Sequence, residues 1–170
     1  MTRTKLGSSE AFEWHSRNLP ELRLKRQKFP VRASLERGDG PLVEFKSAMA
    51  SLLELVTANH IVPIVVSQPA LWKPSLSETE TAALWFPIAT PSGSVRLPGS
   101  VLQREFKKFN ASQKEITAQA GGIFVPLDVL LPKDLTVFFD DVHFTDYGSD
   151  LVAKILLPVV LTEMAKVLPK

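Results

Sequence analysis

The sequence predicts an α/β layered fold with a parallel sheet, and three observations carry that expectation. Amphipathic stretches with helical spacing alternate with short apolar runs rich in β-branched residues. Two of those runs, 61–66 and 123–126, are apolar at consecutive positions, as strands buried on both faces of a parallel sheet are. A chain of 170 residues, 45% of them hydrophobic, has the size of one domain and can close a single core. No internal repeat or low-complexity tract argues for another architecture.

Taken in order, residues 1–40 are polar and basic, with nine Lys or Arg and the turn-prone Gly38-Asp39-Gly40 at their end. They read as a poorly ordered arm or a surface excursion, and the run Arg23-Leu24-Lys25-Arg26-Gln27-Lys28 as a solvated face, with an anion or partner site as the alternative. From Pro41, a favoured first-turn residue, Leu42, Phe45, Met49, Leu52, Leu53 and Val56 recur at steps of three and four and predict a helix ending near Asn59-His60. The strand Ile61-Val62-Pro63-Ile64-Val65-Val66 follows, and Ser67-Gln68-Pro69 stops it. A stretch rich in Pro, Ser and Thr, 70–100, then carries Trp72, Trp85 and Phe86. A connection of that length in a compact domain is usually functional or mobile. Leu102, Phe106, Phe109 and Ile116 predict a second helix over 101–120, closed by Gly121-Gly122, before the strand Ile123-Phe124-Val125-Pro126. The last helix has Thr145 placed to cap it and Tyr147, Leu151, Ala153, Ile155, Leu156, Val159 and Val160 as apolar positions, with a kink expected at Pro158.

Composition narrows the function. A formal charge of +2, from 20 basic and 18 acidic side chains, is too small for a polyanion-seeking surface, so nucleic acid is not an expected partner. The absence of cysteine excludes disulfides, thiolate metal sites and a cysteine nucleophile. No run approaches the roughly 20 apolar residues of a membrane span. Arg3 and Lys5 are not followed by the apolar region of a secretory signal, which leaves the cytoplasm as the default compartment.

The chemistry-bearing residues gather in Phe138-Phe139-Asp140-Asp141-Val142-His143-Phe144-Thr145-Asp146-Tyr147-Gly148, a loop leading into the last helix. In open parallel sheets, sites collect in the loops beyond the carboxyl ends of the strands. There His143 can act as general base toward a hydroxyl, and Asp140, three residues earlier, can reach back to hold its tautomer. The bland alternative is a helix-entry turn in which Asp141 and Asp146 favour the positive end of the helix. A divalent metal held by Asp140, Asp141, His143 and Asp146 is a further alternative, though four ligands on one short loop rarely converge. His15 and His60 have no acidic neighbour at useful spacing and read as surface or cap residues. Trp72 and Trp85 could line an acyl or sugar pocket, or be buried under the long connection.

Asp140, His143, Thr145 and Gly148, preceded by Val125-Pro126-Leu127-Asp128-Val129-Leu130-Leu131-Pro132, resemble the last conserved block of the GDSL-type, or SGNH, hydrolases. Upstream, Ile64-Val65-Val66-Ser67-Gln68-Pro69 is similar to the family strand that ends in a Thr-Gln-Pro turn, with Ser67 in place of Thr. The similarity covers roughly residues 41–165. It implies a three-layer, flavodoxin-like parallel sheet with flanking helices, incomplete in that its first strands are missing. It also implies serine-type acyl-ester hydrolysis with His143 as base and Asp140 as its orienting partner, without cofactor or metal, on a small-molecule acyl ester or acylated sugar.

The family pattern also requires a Gly-Asp-Ser turn after an apolar strand, a glycine donor and a Gly-x-Asn-Asp-like segment for the oxyanion. Gly7-Ser8-Ser9 is the nearest approach to the first, yet Met-Thr-Arg-Thr-Lys-Leu precedes it, and Asn18, Asn59 and Asn110 lie in other contexts. The expectation is therefore a truncated or inactive form of such an enzyme. A non-catalytic α/β binding module and an acyltransferase acting on a sugar are the alternatives.

Overall fold

The computed structural model describes residues 8–35, 38–90 and 93–167. Among the described residues ten elements follow one another: α1 (Ser8–Gln27), α2 (Gly40–Ala58), β1 (Ile64–Val66), α3 (Glu78–Ala83), β2 (Ile88–Thr90), β3 (Gly93–Val95), α4 (Gly99–Gln119), β4 (Ile123–Val125), α5 (Leu127–Leu130) and α6 (Asp146–Val167). The fold is mixed α/β, with one parallel pair and one antiparallel hairpin.

β1 and β4 form the parallel pair, in the register Ile64 to Ile123, Val65 to Phe124 and Val66 to Val125. α4 is the crossover helix that brings the chain back parallel. Alternation along the strands sends side chains to opposite sides. Val65 joins Leu53 of α2 and Ile116 of α4 in one small cluster, with Met49 and Phe124 against it. Ile64, Ile123 and Val125 join the larger core instead, together with Trp72, Leu102, Val137 and Phe138 and with Leu151, Ile155, Leu156 and Val159 of α6.

The helix ends show why these elements stop where they do. α2 closes through His60, whose φ is +59°, with His60 N donating to Thr57 O and Ile61 N to Val56 O, the paired bonds of a Schellman turn. α4 closes through Gly121 at φ +69°, and Gly122 then passes so near Pro63 that a Cβ there would lie 2.8 Å from its ring. The glycine pair thus sets both the turn and the approach of β4 to β1. At the start of α6, Thr145 caps as expected, its Oγ1 accepting from Gly148 N at 3.0 Å. Pro158 lies inside α6, which continues through it to Val167.

Two segments differ from the sequence expectation. Within residues 1–40, read as a poorly ordered arm or surface excursion, α1 forms a helix of 20 residues, and Arg26 on it is buried. Its hydrophobic pattern is too weak to announce it. The helix is held by polar contacts of Arg23 and Arg26 with loops distant in sequence. The 70–100 connection contains α3, opened by a capping box in which Ser77 and Glu80 bond reciprocally, and the β2–β3 hairpin.

Candidate acid-base site

The loop that follows Phe138 is closed by its own backbone. Phe138 and Phe144 form an antiparallel bridge, and Phe139 N donates to His143 O at 3.1 Å. Inside that closure the Asp140 carboxylate accepts from the amides of Val142 and His143, both at 2.9 Å on Oδ1. This is an Asx turn, in which an Asp side chain replaces a backbone acceptor. The turn brings the ring of residue 143 back over the carboxylate: His143 Nδ1 lies 2.8 Å from Asp140 Oδ2 and 3.0 Å from Oδ1. The three-residue spacing is therefore the spacing of the turn itself.

The two partners differ in exposure. Asp140 has no exposed surface, whereas the His143 side chain is 47% exposed, its ring stacked on Phe139 at 5.7 Å and 15°. Burial pushes the Asp140 carboxyl up, but the amides of His143 and Val142 and the His143 ring outweigh it and hold the group below its ordinary value. An ionised Asp140 fixes Nδ1 as the protonated nitrogen, which leaves Nε2 as the basic one.

A second set of N–H donors comes from the 70–100 connection. Trp85 Nε1 donates to Asp140 Oδ2 at 3.0 Å. Asp141, also fully buried, turns the other way and accepts from Trp72 Nε1 at 3.0 Å, Trp85 N at 2.7 Å and Phe86 N at 3.1 Å. Burial raises its carboxyl above the ordinary value despite those donors and the nearby Arg26. Arg26 in turn is pulled below its usual range by burial, with Asp141 opposing and Arg96 adding to that shift. α1 ties the assembly from outside. Arg23 donates from Nη2 to Phe139 O at 2.7 Å and from Nε to Ala83 O at 3.0 Å, bridging the acid-base loop to the end of α3.

The sequence-expected pair Asp140 and His143 is thus brought together, and the metal alternative is not. Asp141 points into the tryptophan donors, Asp146 is exposed at the start of α6, and no group of three or more potential ligands among the described residues could hold a metal ion. Trp72 is a core residue, 2% exposed, and Trp85 a half-buried donor, so neither serves primarily as a pocket wall. His60 is the helix-terminating residue described above. Ser8 and Ser9 open α1, but Gly7 and the serine and His15 side chains lie outside the described residues.

The Ser67-Gln68-Pro69 turn has a structural occupation. Ser67 is fully buried, donates from Oγ to Asp128 Oδ1 at 2.5 Å and accepts from Asp128 N at 2.9 Å, so its hydroxyl joins the end of β1 to the start of α5. Gln68 exchanges its backbone N–H and C=O with the Asn110 carboxamide at 3.0 and 3.1 Å. Beyond Gln68 an apolar cleft of about 430 Å³ opens between α2, α4 and the 86–97 segment, with Phe45, Phe86, Ile88, Phe106 and Phe109 on its walls. Sequence reasoning offered Trp72 and Trp85 as pocket walls and not as donors to the two carboxylates, and placed Arg23 and Arg26 on a solvated face. The tryptophans in the long connection were the one available signal.

No helix among the described residues is long and apolar enough to cross a membrane. Comparison with protein-family models, with curated proteins and with solved structures finds no match to this chain.

Proposed function

We propose that this chain carries the acid-base half of a serine-type acyl-ester hydrolase of the SGNH type, on a three-layer, flavodoxin-like α/β framework. The observation that carries the reading is the Asp140–His143 contact at 2.8 Å, with a fully buried carboxylate behind a half-exposed imidazole. In that chemistry His143 Nε2 takes the proton of a serine hydroxyl as its oxygen bonds to the ester carbonyl carbon, and returns it to the departing alkoxide. Water then repeats the sequence and releases the acid. Asp140 stabilises the imidazolium at both stages. An acylated sugar as substrate or acceptor would use the same two residues.

A second reading, a non-catalytic α/β binding module, is favoured by Ser67. The serine at the end of β1 is committed to Asp128 and buried. Hydrolysis of 4-nitrophenyl acetate by the purified chain, with His143→Ala as the comparison, separates the readings. If a serine of this chain completes the apparatus, turnover is expected that falls by about 10²–10⁴-fold in His143→Ala, together with labelling of that serine by a fluorophosphonate. Absence of both turnover and labelling overturns hydrolysis by this chain and leaves the binding module.

A further inference from the structure

β1 uses one of its two edges. Ile123 N donates to Pro63 O at 2.9 Å and Ser67 N to Val125 O at 3.0 Å, so residues 63, 65 and 67 turn their peptide groups toward β4. Alternation directs those of Val62, Ile64 and Val66 the opposite way. Among the described residues, none of these three takes a backbone or side-chain hydrogen bond on that side. Val62 precedes a proline and so favours extended backbone, prolonging the edge by one residue pair.

The edge strand is short, three residues, but it carries none of the charged side chains that ordinarily guard an exposed strand. No charged residue occurs from Ile61 to Trp72, and Ile61, Val62 and Val66 are 58%, 49% and 37% exposed. The only residue lacking an N–H in β1 and its lead-in, Pro63, falls on the β4 side, where its carbonyl is used. β4 is different: Pro126 ends it, and the Pro126 carbonyl is taken by Val129 and Leu130. The helices on the two sides of the sheet, α2 and α6, leave Leu52, Leu55, Leu157 and Leu161 exposed. A two-stranded parallel sheet with an apolar open edge is marginal by itself.

We propose that this edge is the two-fold interface between two copies of the chain, with β1 pairing antiparallel to β1 of the partner about Ile64. A second copy is the occupant because the strand complements itself. With Ile64 opposite its own copy, Val62 faces Val66 of the other chain, and each of the three pairs exchanges two bonds. Ile-Val-Val is apolar on both faces, as an inner strand of the resulting four-stranded sheet must be. No charge lies near the axis to repel its mate.

The test uses the full chain in sedimentation equilibrium over a concentration series, with amide hydrogen exchange on the same samples. A dimer is expected, with the amides of Val62, Ile64 and Val66 gaining protection as it forms. In the double variant Val62→Lys with Val66→Lys, two lysine pairs face each other across the axis. The dissociation constant should rise about a hundredfold, or about 2.7 kcal/mol. Val129→Lys, at a site 76% exposed and away from the edge, should leave it unchanged. A wild-type monomer at every concentration, a dimer that survives the lysine pair, or edge amides that stay unprotected in the dimer would each overturn the proposal. The exchange measurement on the unaltered chain decides even where the lysine variant fails to fold.

Discussion

Replacing Gly148 by alanine should destabilise the protein, although the same exchange inside a helix ordinarily stabilises it. A Cβ at residue 148 would lie 2.2 Å from Val137 O, 3.1 Å from Val137 C and 3.3 Å from the Phe144 Cβ. The obstacle is backbone, so no side-chain rotation relieves it. That same carbonyl accepts from Thr145 N at 2.9 Å, and moving α6 outward would weaken the bond that starts the helix. Overpacking costs about 1–3 kcal/mol and a lost hydrogen bond about 1 kcal/mol, against a propensity gain of about 1 kcal/mol. The net is a loss of about 2 kcal/mol, or roughly 4–8 °C in melting temperature for a domain of this size. Urea unfolding followed by far-ultraviolet circular dichroism reads the change as a lower midpoint at unchanged slope. Gly40→Ala is the control, because nothing lies within 4 Å of the added carbon and stability should hold or rise. Gly148→Ala matching or exceeding wild type would refute the contact. The same variant should alter the His143 imidazole resonances, since the Val137 carbonyl also anchors the loop that carries Asp140 and His143.

Asp141→Ala leaves the Trp72 indole and the Trp85 and Phe86 amides without their acceptor. A loss of at least about 3 kcal/mol is expected, at the low end of about 1–3 kcal/mol for each donor left unpaired because two of the three are only part-buried, checked by the same urea series. His60→Gly should stabilise by roughly 0.5–1 kcal/mol, because a non-glycine residue at φ +59° carries strain that glycine does not. For pH, the folded-state value of Asp140 is lowered, so its ionised form contributes stability that is complete above the ordinary carboxylate value of 3.8 and lost as pH falls through the lower folded value. Asp140→Asn should flatten the acid limb of the stability profile below pH 3.8, and an unchanged limb would assign acid sensitivity to other carboxylates. His143→Ala removes one partner of the buried Asp140 carboxylate and should cost about 1 kcal/mol, a loss small enough to leave the variant folded in the turnover comparison, as the same urea series checks.

What the sequence made readable follows the strength of periodic signals. α2 and α4 were expected within two residues of their ends, and α6 at its start, because their apolar positions recur at helical steps and glycine, proline or threonine marks those boundaries. β1 and β4 were expected from apolar runs, each shorter in the structure than the run that announced it. α1 was not readable: Arg23 and Arg26 look like members of a solvated basic face, and only the fold brings them to the carbonyls of Phe139, Ala83 and Phe86. The β2–β3 hairpin lies in a stretch of mixed small and polar residues with no alternation to mark it. At the site, the Asp140–His143 pairing was readable because it is local, three residues closed by one turn. The donors from Trp72 and Trp85 were not, since they arrive from positions 69 and 55 residues away.

Adjacent Asp140 and Asp141 are both fully buried and are satisfied by different partners. Within the turn the two carboxylates go different ways, Asp140 to the His143 imidazole and Asp141 to the 72–86 donors. An inward carboxylate is costly to bury unless it is saturated with donors, and the 72–86 segment supplies three. Those donors do more than offset burial. Trp85 gives its backbone N–H to Asp141 and its indole N–H to Asp140, so the segment that satisfies the supporting carboxylate also positions the one that faces His143. Arg23 then bridges the two segments at Phe139 and Ala83. A loop held at its own ends, beneath by Asp141 and alongside by Trp85 can keep an imidazole in one orientation while leaving it half exposed. That combination is what a proton-transferring histidine requires and a helix-entry turn does not.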